Sequence, residues 1–464
     1  MAEYKTPGVY IEEIPKLPPS IASVETAIPA FIGYTDKARH REDDDLRLKP
    51  HRISSMLDYI TFFGGTDPET GIKLTFDSLT NVVNGKVENR SNFLMFYSLQ
   101  FYFANGGGPC YIVSVENYTN GGGSISLSTL KTGLAEVQKI DEVTLILFPD
   151  SMNLVSANDY YSLHKEAMDQ AADLKDRFVV LDVWMNPDPT TLPQTNIDAQ
   201  RNADFGNIDT MKYGAVYYPR IATNLDYDYN NEYAQVTVDG SADGTNMEEI
   251  KNANDALFFQ CKAAIEQIEL VLPASCGVVG KYAETDDRRG VWKAPANIGI
   301  DLAVRPEILV THKEQAELNV DTKSGKSINV IRTFPGRGPA IIWGARTLAG
   351  NDNEWRYISV RRFFNMVEES TKNATVQFVF EPNDENTWVR VKSMIQNYLT
   401  QQWKAGALMG ATTDQAFYVH VGLGETMTEL DIWEGRMIVE IGMAVVRPAE
   451  FIILKFMHKM LEEA

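Results

Sequence analysis

Three short and mainly apolar runs of residues constrain the fold of this chain more than any other feature. They lie at residues 143–148, 178–183 and 214–218. A segment of helical composition, residues 157–175, lies between the first two runs. Continuous apolar strands are typical of parallel sheets, because helices cover both faces of such a sheet and leave no polar side. The pattern therefore predicts an α/β layer with a mostly parallel sheet.

Other elements follow from the spacing of apolar residues and from the glycine and proline residues that end them. Helices are predicted at residues 53–63, 93–104, 248–270 and 385–403. Strands are predicted at residues 21–34, 110–115, 328–331, 340–343, 436–446 and 449–457. Residues 222–245 are rich in Asp, Asn, Tyr and Gly, which predicts an exposed loop or a hairpin.

Length and charge exclude several classes of protein. With 464 residues the chain exceeds a single typical core, so two or three domains are expected. The net charge of −20 argues against a nucleic-acid partner and against an anionic membrane surface. The longest apolar runs are far too short to span a bilayer, and the charged, proline-containing start does not resemble a signal peptide. We therefore expect no nucleic acid, no direct membrane insertion and assembly in the cytoplasm.

Residue types with catalytic or metal-binding chemistry form no strong motif. The SGKS sequence at 324–327 lacks the first glycine of a phosphate-binding loop, and a β-like run follows it instead of a helix. The six histidines have no zinc-site spacing, and Cys110, Cys261 and Cys276 lie far apart. We expect no cofactor, no metal, no catalytic residue and no disulfide framework, and a surface turn at residues 324–327.

The first twenty residues combine a strand-like segment with a proline-rich linker. Residues 9–14 are rich in β-branched and aromatic side chains, which favour a strand. Pro15, Pro18 and Pro19 follow at once and stop both a helix and a central ladder. A short strand on a stiff tether is well placed to join the sheet edge of another subunit. A first edge strand folded onto its own domain is the alternative that these residues leave open.

Six sequence blocks, spread over the chain from its start to its end, form a composite pattern. They are TPGVYIEE at 6–13, IPAFIG at 28–33, YYPR at 217–220, PGRGPAIIWGARTL at 335–348, WRYISVRR at 355–362 and RPAEF at 447–451. In this order they resemble the contractile tail sheath family, which includes phage tail sheaths and the sheaths of phage-tail-like contractile injection systems. The resemblance is densest from residue 270 onward.

The resemblance implies an α/β subunit of mixed α+β composition with several domains and extended arms that exchange strands. It divides the chain into an N-terminal arm and linker at 1–20, an outward-facing N-terminal and middle body at 21–270, a tube-proximal C-terminal body at 271–447 and a C-terminal arm at 448–464. Such subunits stack as hexameric rings in an extended metastable state, which contracts and drives an inner tube through a target envelope. The implied partners are further copies of the chain, an inner tube protein, and baseplate and terminal cap proteins of a phage tail or phage-tail-like particle, which can be released extracellularly.

The resemblance also places the exchanging strands and their hinges. The first exchanging strand comprises Val9, Tyr10, Ile11, Glu12, Glu13 and Ile14. The second comprises Phe451, Ile452, Ile453, Leu454, Lys455 and Phe456. Hinges are expected at Pro15, Pro18, Pro19, Arg447 and Pro448. The acceptor edge is expected in the C-terminal body, with residues 436–446 as a candidate.

Two questions stay open at the level of sequence. Large side chains of the resembling blocks are expected to pack in the core or form buried ion pairs, with tube or lattice contact as the alternative: Trp343, Arg346, Trp355, Arg361 and Arg362. The function also has alternatives outside the resemblance. They are a static self-assembling protein, such as a capsid or surface-layer subunit, and an α/β enzyme whose site is assembled from distant residues.

Overall fold

A computed structural model of the chain describes residues 21–118, 123–241 and 244–455. The strands are β1 Pro29–Thr35, β2 His51–Ile53, β3 Ile72–Asp77, β4 Val82–Val87, β5 Cys110–Asn117, β6 Leu145–Leu147, β7 Phe178–Asp182, β8 Gly214–Tyr218, β9 Ile221–Thr223, β10 Gln235–Val238, β11 Thr245–Asn246, β12 Leu270–Leu272, β13 Ile298–Gly299, β14 Ala303–Pro306, β15 Ile328–Phe334, β16 Gly338–Ile342, β17 Phe417–His420 and β18 Glu440–Met443.

The helices of the described residues alternate with these strands over most of the chain. They are α1 Met56–Phe63, α2 Met95–Ala104, α3 Leu127–Val137, α4 Ala157–Leu174, α5 Pro193–Asn202, α6 Ile208–Met211, α7 Met247–Ala253, α8 Asp255–Glu266, α9 Ala274–Arg289, α10 His312–Asn319, α11 Ile358–Thr375, α12 Glu385–Lys404, α13 Thr413–Ala416 and α14 Glu429–Trp433. Within the described residues, no helix is long and apolar enough to cross a membrane.

The chain divides into two compact units. Of the described residues, 25–366 and 447–455 form what we call the large unit, and 21–24 and 367–446 form the small unit. This division differs from the sequence boundary at residue 270, because β8 and β15 lie on opposite sides of that boundary and pair in parallel within one sheet. The outward-facing and tube-proximal roles assigned to residues 21–270 and 271–447 stay predictions.

A nine-stranded sheet forms the centre of the large unit. Its strand order is β13-β16-β15-β8-β7-β6-β1-β5-β2. The six neighbouring strands from β15 to β5 are parallel, and antiparallel strands complete both ends. The predicted α/β fold with a mostly parallel sheet is confirmed.

Alternate residues of the parallel strands enter two different cores. In β7, Val179 and Leu181 belong to one hydrophobic cluster, while Phe178 and Val180 belong to the other. Helices α3 and α4 cover the first face, and α2 and α9 cover the second. Because helices cover both faces of the sheet, these strands are mainly apolar, which is the signal that the sequence carries.

A smaller four-stranded sheet, of order β11-β10-β3-β4, also belongs to the large unit. Sequence analysis predicts the β10–β11 hairpin as one of two outcomes for residues 222–245 but does not predict β3 and β4. The alternating apolar residues Ile72, Leu74 and Phe76 are the signal that identifies β3. Predicted as one helix, residues 248–270 form two helices and β12, because Asn254 is extended and its side chain caps α8 by accepting from Leu257 N.

The small unit contains α12 and a two-stranded antiparallel sheet formed by β17 and β18. The helix predicted at 385–403 is confirmed as α12, and its side chains Val391, Ile395, Tyr398 and Leu399 are buried along one face. Trp388 is only half-buried, and its indole nitrogen donates to Asn383 Oδ1 at 2.7 Å.

Candidate assembly surfaces

One acidic side chain fixes the C-terminal segment to the large unit. The Glu450 carboxylate accepts from the Arg346 guanidinium, with Nε 3.0 Å from Oε1 and Nη2 2.6 Å from Oε2. Asn319 Nδ2 donates to Oε1 at 2.7 Å, and the Tyr357 hydroxyl donates to Oε2 at 3.2 Å. The side chain of Arg346 is 4% exposed and that of Glu450 is 21% exposed, so water competes little for these bonds. We call Glu450 with these three partners the Glu450 clasp.

The clasp holds Glu450 in its charged form. Burial alone raises the pKa of this carboxyl group, but hydrogen bonds from Arg346 and Asn319 and the guanidinium charge outweigh it, so the pKa of Glu450 is lowered. The clasp also joins distant parts of the sequence, because Arg346, Tyr357 and Glu450 come from three different blocks of the composite pattern. The spacing of these residues along the chain does not predict their contact. Asn319, the third partner, lies in none of the blocks.

The residues directly after Glu450 are largely exposed to solvent. The next four side chains are apolar and exposed: Phe451 69%, Ile452 79%, Ile453 80% and Leu454 72%. Residues 447–455 form no helix or strand, so the strand predicted at 449–457 is not formed in its described part. A strand requires a hydrogen-bonded neighbour, and within the described residues none pairs with this segment.

The other residues expected to exchange or to act as hinges are only partly described. Arg447 Nη1 donates to the Asn353 carbonyl at 2.7 Å, and the division between the two units falls directly before Arg447. Outside the described residues lie Phe456, the strand predicted at 9–14, and Pro15, Pro18 and Pro19. Exchange and hinge roles therefore stay predictions for all of these positions, including Pro448.

The two-stranded sheet of the small unit is the second candidate surface. In β17, Phe417 and Val419 are buried, while Tyr418 is exposed and its hydroxyl donates to Glu440 of β18. Beyond β18, Met409 N donates to the Ala444 carbonyl at 2.7 Å, which covers the end of that strand. Among the described residues, no strand pairs with the outer side of either β17 or β18. Within the part of the chain that the structure describes, both edges of this sheet are therefore without a neighbouring strand, and the predicted run at 436–446 contains β18.

Most of the large side chains in the resembling blocks pack in the core or form buried ion pairs, as expected from the sequence. Arg362 forms a buried ion pair with Asp286, with Nη2 2.5 Å from Oδ2. Arg361 is 2% exposed, donates to Asn365 Oδ1 at 2.7 Å and stacks 4.5 Å from the Trp355 ring centroid. These contacts lie within the large unit and stabilise it.

Trp343 does not pack in the core as expected. It lies one residue past β16, is half-buried and contacts Phe334 with ring centroids 4.5 Å apart. The Arg337 guanidinium lies 5.3 Å from the Trp343 ring. The strand is next to the short end strand β13, so less of the molecule is available to cover this side chain.

The carboxyl edge of the nine-stranded sheet is where α/β folds of this parallel strand order bind ligands. There the chain places two buried carboxylates of its own. Asp150, after β6, accepts from Tyr34 N at 2.7 Å and Leu94 N at 2.6 Å, and Leu94 is the N-cap of α2. Asp182, at the end of β7, accepts from Ser275 N of α9 at 3.0 Å. Both helix N-termini are thus already satisfied by carboxylates, where a nucleotide-binding fold would place a phosphate.

Burial dominates the electrostatics of this edge. It raises the pKa of Asp150 to about 7, although three backbone N–H groups lower it, and raises the pKa of Asp182 to about 6. Gly33, in the IPAFIG block, packs so closely here that a Cβ at this position would collide with the Asp150 carboxylate. The glycine therefore makes room for an internal carboxylate.

Other motifs that carry chemistry in related contexts are structural here. The surface turn predicted at 324–327 lies slightly earlier, at residues 322–324, and Ser327 is buried. Gly325 has φ +73°, and Lys326 Nζ donates to the carbonyls of Arg201 and Ala203. The strand β15, not a helix, follows it. The three cysteines are free and buried, and within the described residues no group of His, Cys, Asp and Glu could hold a metal ion.

Comparisons with known proteins connect this geometry to a family. The model of the phage tail sheath C-terminal domain matches residues 350–458, which include β17, β18 and the exposed segment after Glu450. The solved structure of the anti-feeding prophage helical sheath in its contracted state is similar over 98% of this chain and 100% of that chain. The sequence identity is 31% and the TM-score 0.66. The chain belongs to the contractile tail sheath family.

Two further relatives extend the comparison of this sheath protein. The sheath complex of an extracellular contractile injection system, PVC, in its contracted state is 29% identical, with a TM-score of 0.65 and 99% of both chains covered. The tail sheath protein of Vibrio phage KVP40 is 29% identical over 129 residues, or 28% of this chain. That alignment spans about a fifth, 19%, of the phage protein.

Proposed function

We propose that this sheath protein is a structural, non-enzymatic subunit of a contractile sheath. It surrounds an inner tube, assembles as stacked hexameric rings in an extended metastable state, and contracts to drive the tube through a target envelope. The observation that carries the proposal is the similarity, over 98% of the chain at 31% identity, to a protein that forms a contractile helical sheath. The particle is a phage tail or an extracellular injection particle, assembled in the cytoplasm.

Strand exchange supplies the contacts between copies. An extended segment that adds to an open sheet edge gains backbone hydrogen bonds along its whole length, and alternate side chains enter pockets on either face. In this chain the exposed residues 451–455 are the donor, and the free edges of β17 and β18 on another copy are the acceptor. Residues 9–14 are a second donor. A two-stranded sheet is marginally stable alone, so added strands also complete the acceptor.

Hinges between the arms and the compact units allow this network to persist through a large rearrangement. Pro15, Pro18 and Pro19 precede the described residues, and Arg447 and Pro448 lie where the small unit gives way to the large unit along the chain. Heterologous contacts that do not close within one ring produce open helical arrays. The compact units can then move as rigid bodies between two arrangements while the exchanged strands keep copies in register.

The free energy of contraction is stored during assembly. Each subunit needs to differ by only about a few kcal/mol between the two lattices, because many subunits convert together. The inner tube protein, the baseplate and a terminal cap hold the extended lattice until a trigger arrives. Residues 271–447 face the tube and residues 21–270 face outward.

Negative-stain electron microscopy of the protein expressed with its tube and baseplate proteins tests the proposal. We expect long striated cylinders around a tube, together with shorter and wider cylinders. Cylinders of a single width would instead favour a static assembly, and discrete oligomers would favour the enzyme alternative. A variant without residues 1–15 should remain folded and form no cylinders; normal cylinders from it would remove the N-terminal arm from the mechanism.

A further inference from the structure

We propose that the Glu450 clasp is the anchor through which the C-terminal arm transmits force from a second copy of this chain to the large unit. The inference rests on the proposed function and adds to it the residues that hold the root of the arm. The partner is the open edge of the β17–β18 sheet on a neighbouring copy, which receives residues 451–455.

Hydrogen bonding and solvent exposure change abruptly at Glu450. This residue accepts five hydrogen bonds from three side chains, whereas the four residues after it are 69–80% exposed. A chain end that only packed on its own unit would bury Phe451 and Ile453, since apolar burial is the main source of such packing. Glu450 is therefore held in place, while the exposed apolar residues after it are available to bind another surface.

The hydrogen bonds of Arg346 restrain Glu450 and connect it to the rest of the large unit. Arg346 binds both oxygens of Glu450 through a fork, which restricts direction as well as distance. Arg346 Nη1 also donates to the Gly350 carbonyl at 3.1 Å, and Asn329 Oδ1 accepts from Arg346 N at 2.8 Å. Asn329 lies in β15, so the clasp connects to the nine-stranded sheet through direct hydrogen bonds.

Without the clasp, tension on residues 451–455 would act first on the linker at residues 447–448. Arg447 is the first residue of the chain after the small unit, and its contact with Asn353 is a single exposed hydrogen bond. If Glu450 were free, a pull on residues 451–455 would reach the linker at 447–448 before it reached the large unit. With the clasp closed, the pull acts on a side chain that is held in the large unit. A tether fixed in direction also loses less entropy when its end binds.

Glu450→Gln is the informative variant, because it keeps the shape and removes the charge. The matched control is Glu307→Gln, since Arg220 binds Glu307 through a similar fork, at 2.8 Å to each oxygen, in the same unit. Sheath yield and length are measured by electron microscopy, and heat unfolding of the free subunit is measured for both variants. We expect Glu450→Gln to lower sheath yield at least tenfold while its free subunit stays folded at the assembly temperature, and Glu307→Gln to assemble normally. Because Arg346 is the more buried arginine, Glu450→Gln should have the lower unfolding temperature of the two. Glu450→Asp, which keeps the charge, should recover part of the yield.

Three results overturn the proposal: normal assembly of Glu450→Gln, equal assembly loss in both Gln variants, or no recovery in Glu450→Asp. A deletion of residues 451–464 separates these results from failure of the proposed function. If the deletion assembles normally, the C-terminal arm itself is not used. If the deletion does not assemble while Glu450→Gln does, exchange stands and only the anchoring role of the clasp is lost.

Discussion

The nine-stranded sheet and the β17–β18 sheet differ in how completely their faces are buried and their edge strands are paired. The nine-stranded sheet is covered on both faces, and its four central strands, β1, β6, β7 and β8, are buried at every residue. The β17–β18 sheet has two strands, four residues each, with exposed side chains and outer edges that no described strand covers. The first sheet is stable because of contacts within one chain. The second sheet, like the exposed segment after Glu450, is suited to completion by another copy.

The largest expected effect tests the self-contained region. Phe31 of β1 is fully buried and packs edge-on to Tyr102, whereas Phe451 is 69% exposed. Phe31→Ala should lower the free energy of unfolding of the large unit by about 3–5 kcal/mol, because it leaves a cavity. The matched change Phe451→Ala should alter it by no more than about 0.5 kcal/mol. Chemical denaturation of the free subunit measures both, and similar losses would remove the distinction between the two regions.

A pH titration sharpens the account of the core. The pKa of Asp150 is raised to about 7 by burial, so the folded state binds its proton more tightly than the unfolded chain does. Its stabilising contribution is therefore fully present below the ordinary Asp pKa and is lost as the pH rises through about 7. Asp150→Asn should flatten this part of the stability profile between about pH 4 and pH 7, leaving the smaller dependence from Asp182, whose pKa is about 6. An unchanged profile would contradict the assignment.

The smallest effect on folding tests the incomplete region. Ile453 is 80% exposed after the clasp, and Leu79 is 95% exposed in the turn after β3. Ile453→Asp and Leu79→Asp should each change the free energy of unfolding by no more than about 0.5 kcal/mol. Only Ile453→Asp should prevent sheath formation, because a charge cannot enter the apolar side of an added strand. Equal assembly by the two variants, seen by microscopy, would mean that Ile453 is not part of the exchanged segment.

The sequence predicts the regions where local pattern and final environment agree. The apolar runs at 143–148 and 178–183 become β6 and β7 because both of their faces are covered, and α4 follows its predicted range closely. The local pattern gave wrong predictions at two positions. At Asn254 a side-chain cap divides one predicted helix, and Trp343 is only half-buried because it lies near the end of the sheet.

The candidate surfaces were less accessible to sequence reasoning. The apolar residues 451–454 are visible in the sequence, but the partner of Glu450 is not, because Arg346 is 104 residues away and only the fold brings them together. Likewise, Asp150 and Gly33 meet across neighbouring strands, and no local motif records their contact. Long-range polar pairs of this kind follow from topology, which a pattern of apolar residues specifies only in outline.

Hydrogen exchange of the free subunit and of the assembled sheath tests the central claim most directly. The account predicts that backbone amides of β17, β18 and residues 451–455 exchange rapidly in the free subunit and become protected in the sheath. The amides of β1, β6 and β7 should be protected equally in both. Unchanged exchange at Phe417–His420 and Glu440–Met443 on assembly would contradict the claim that another copy completes this sheet.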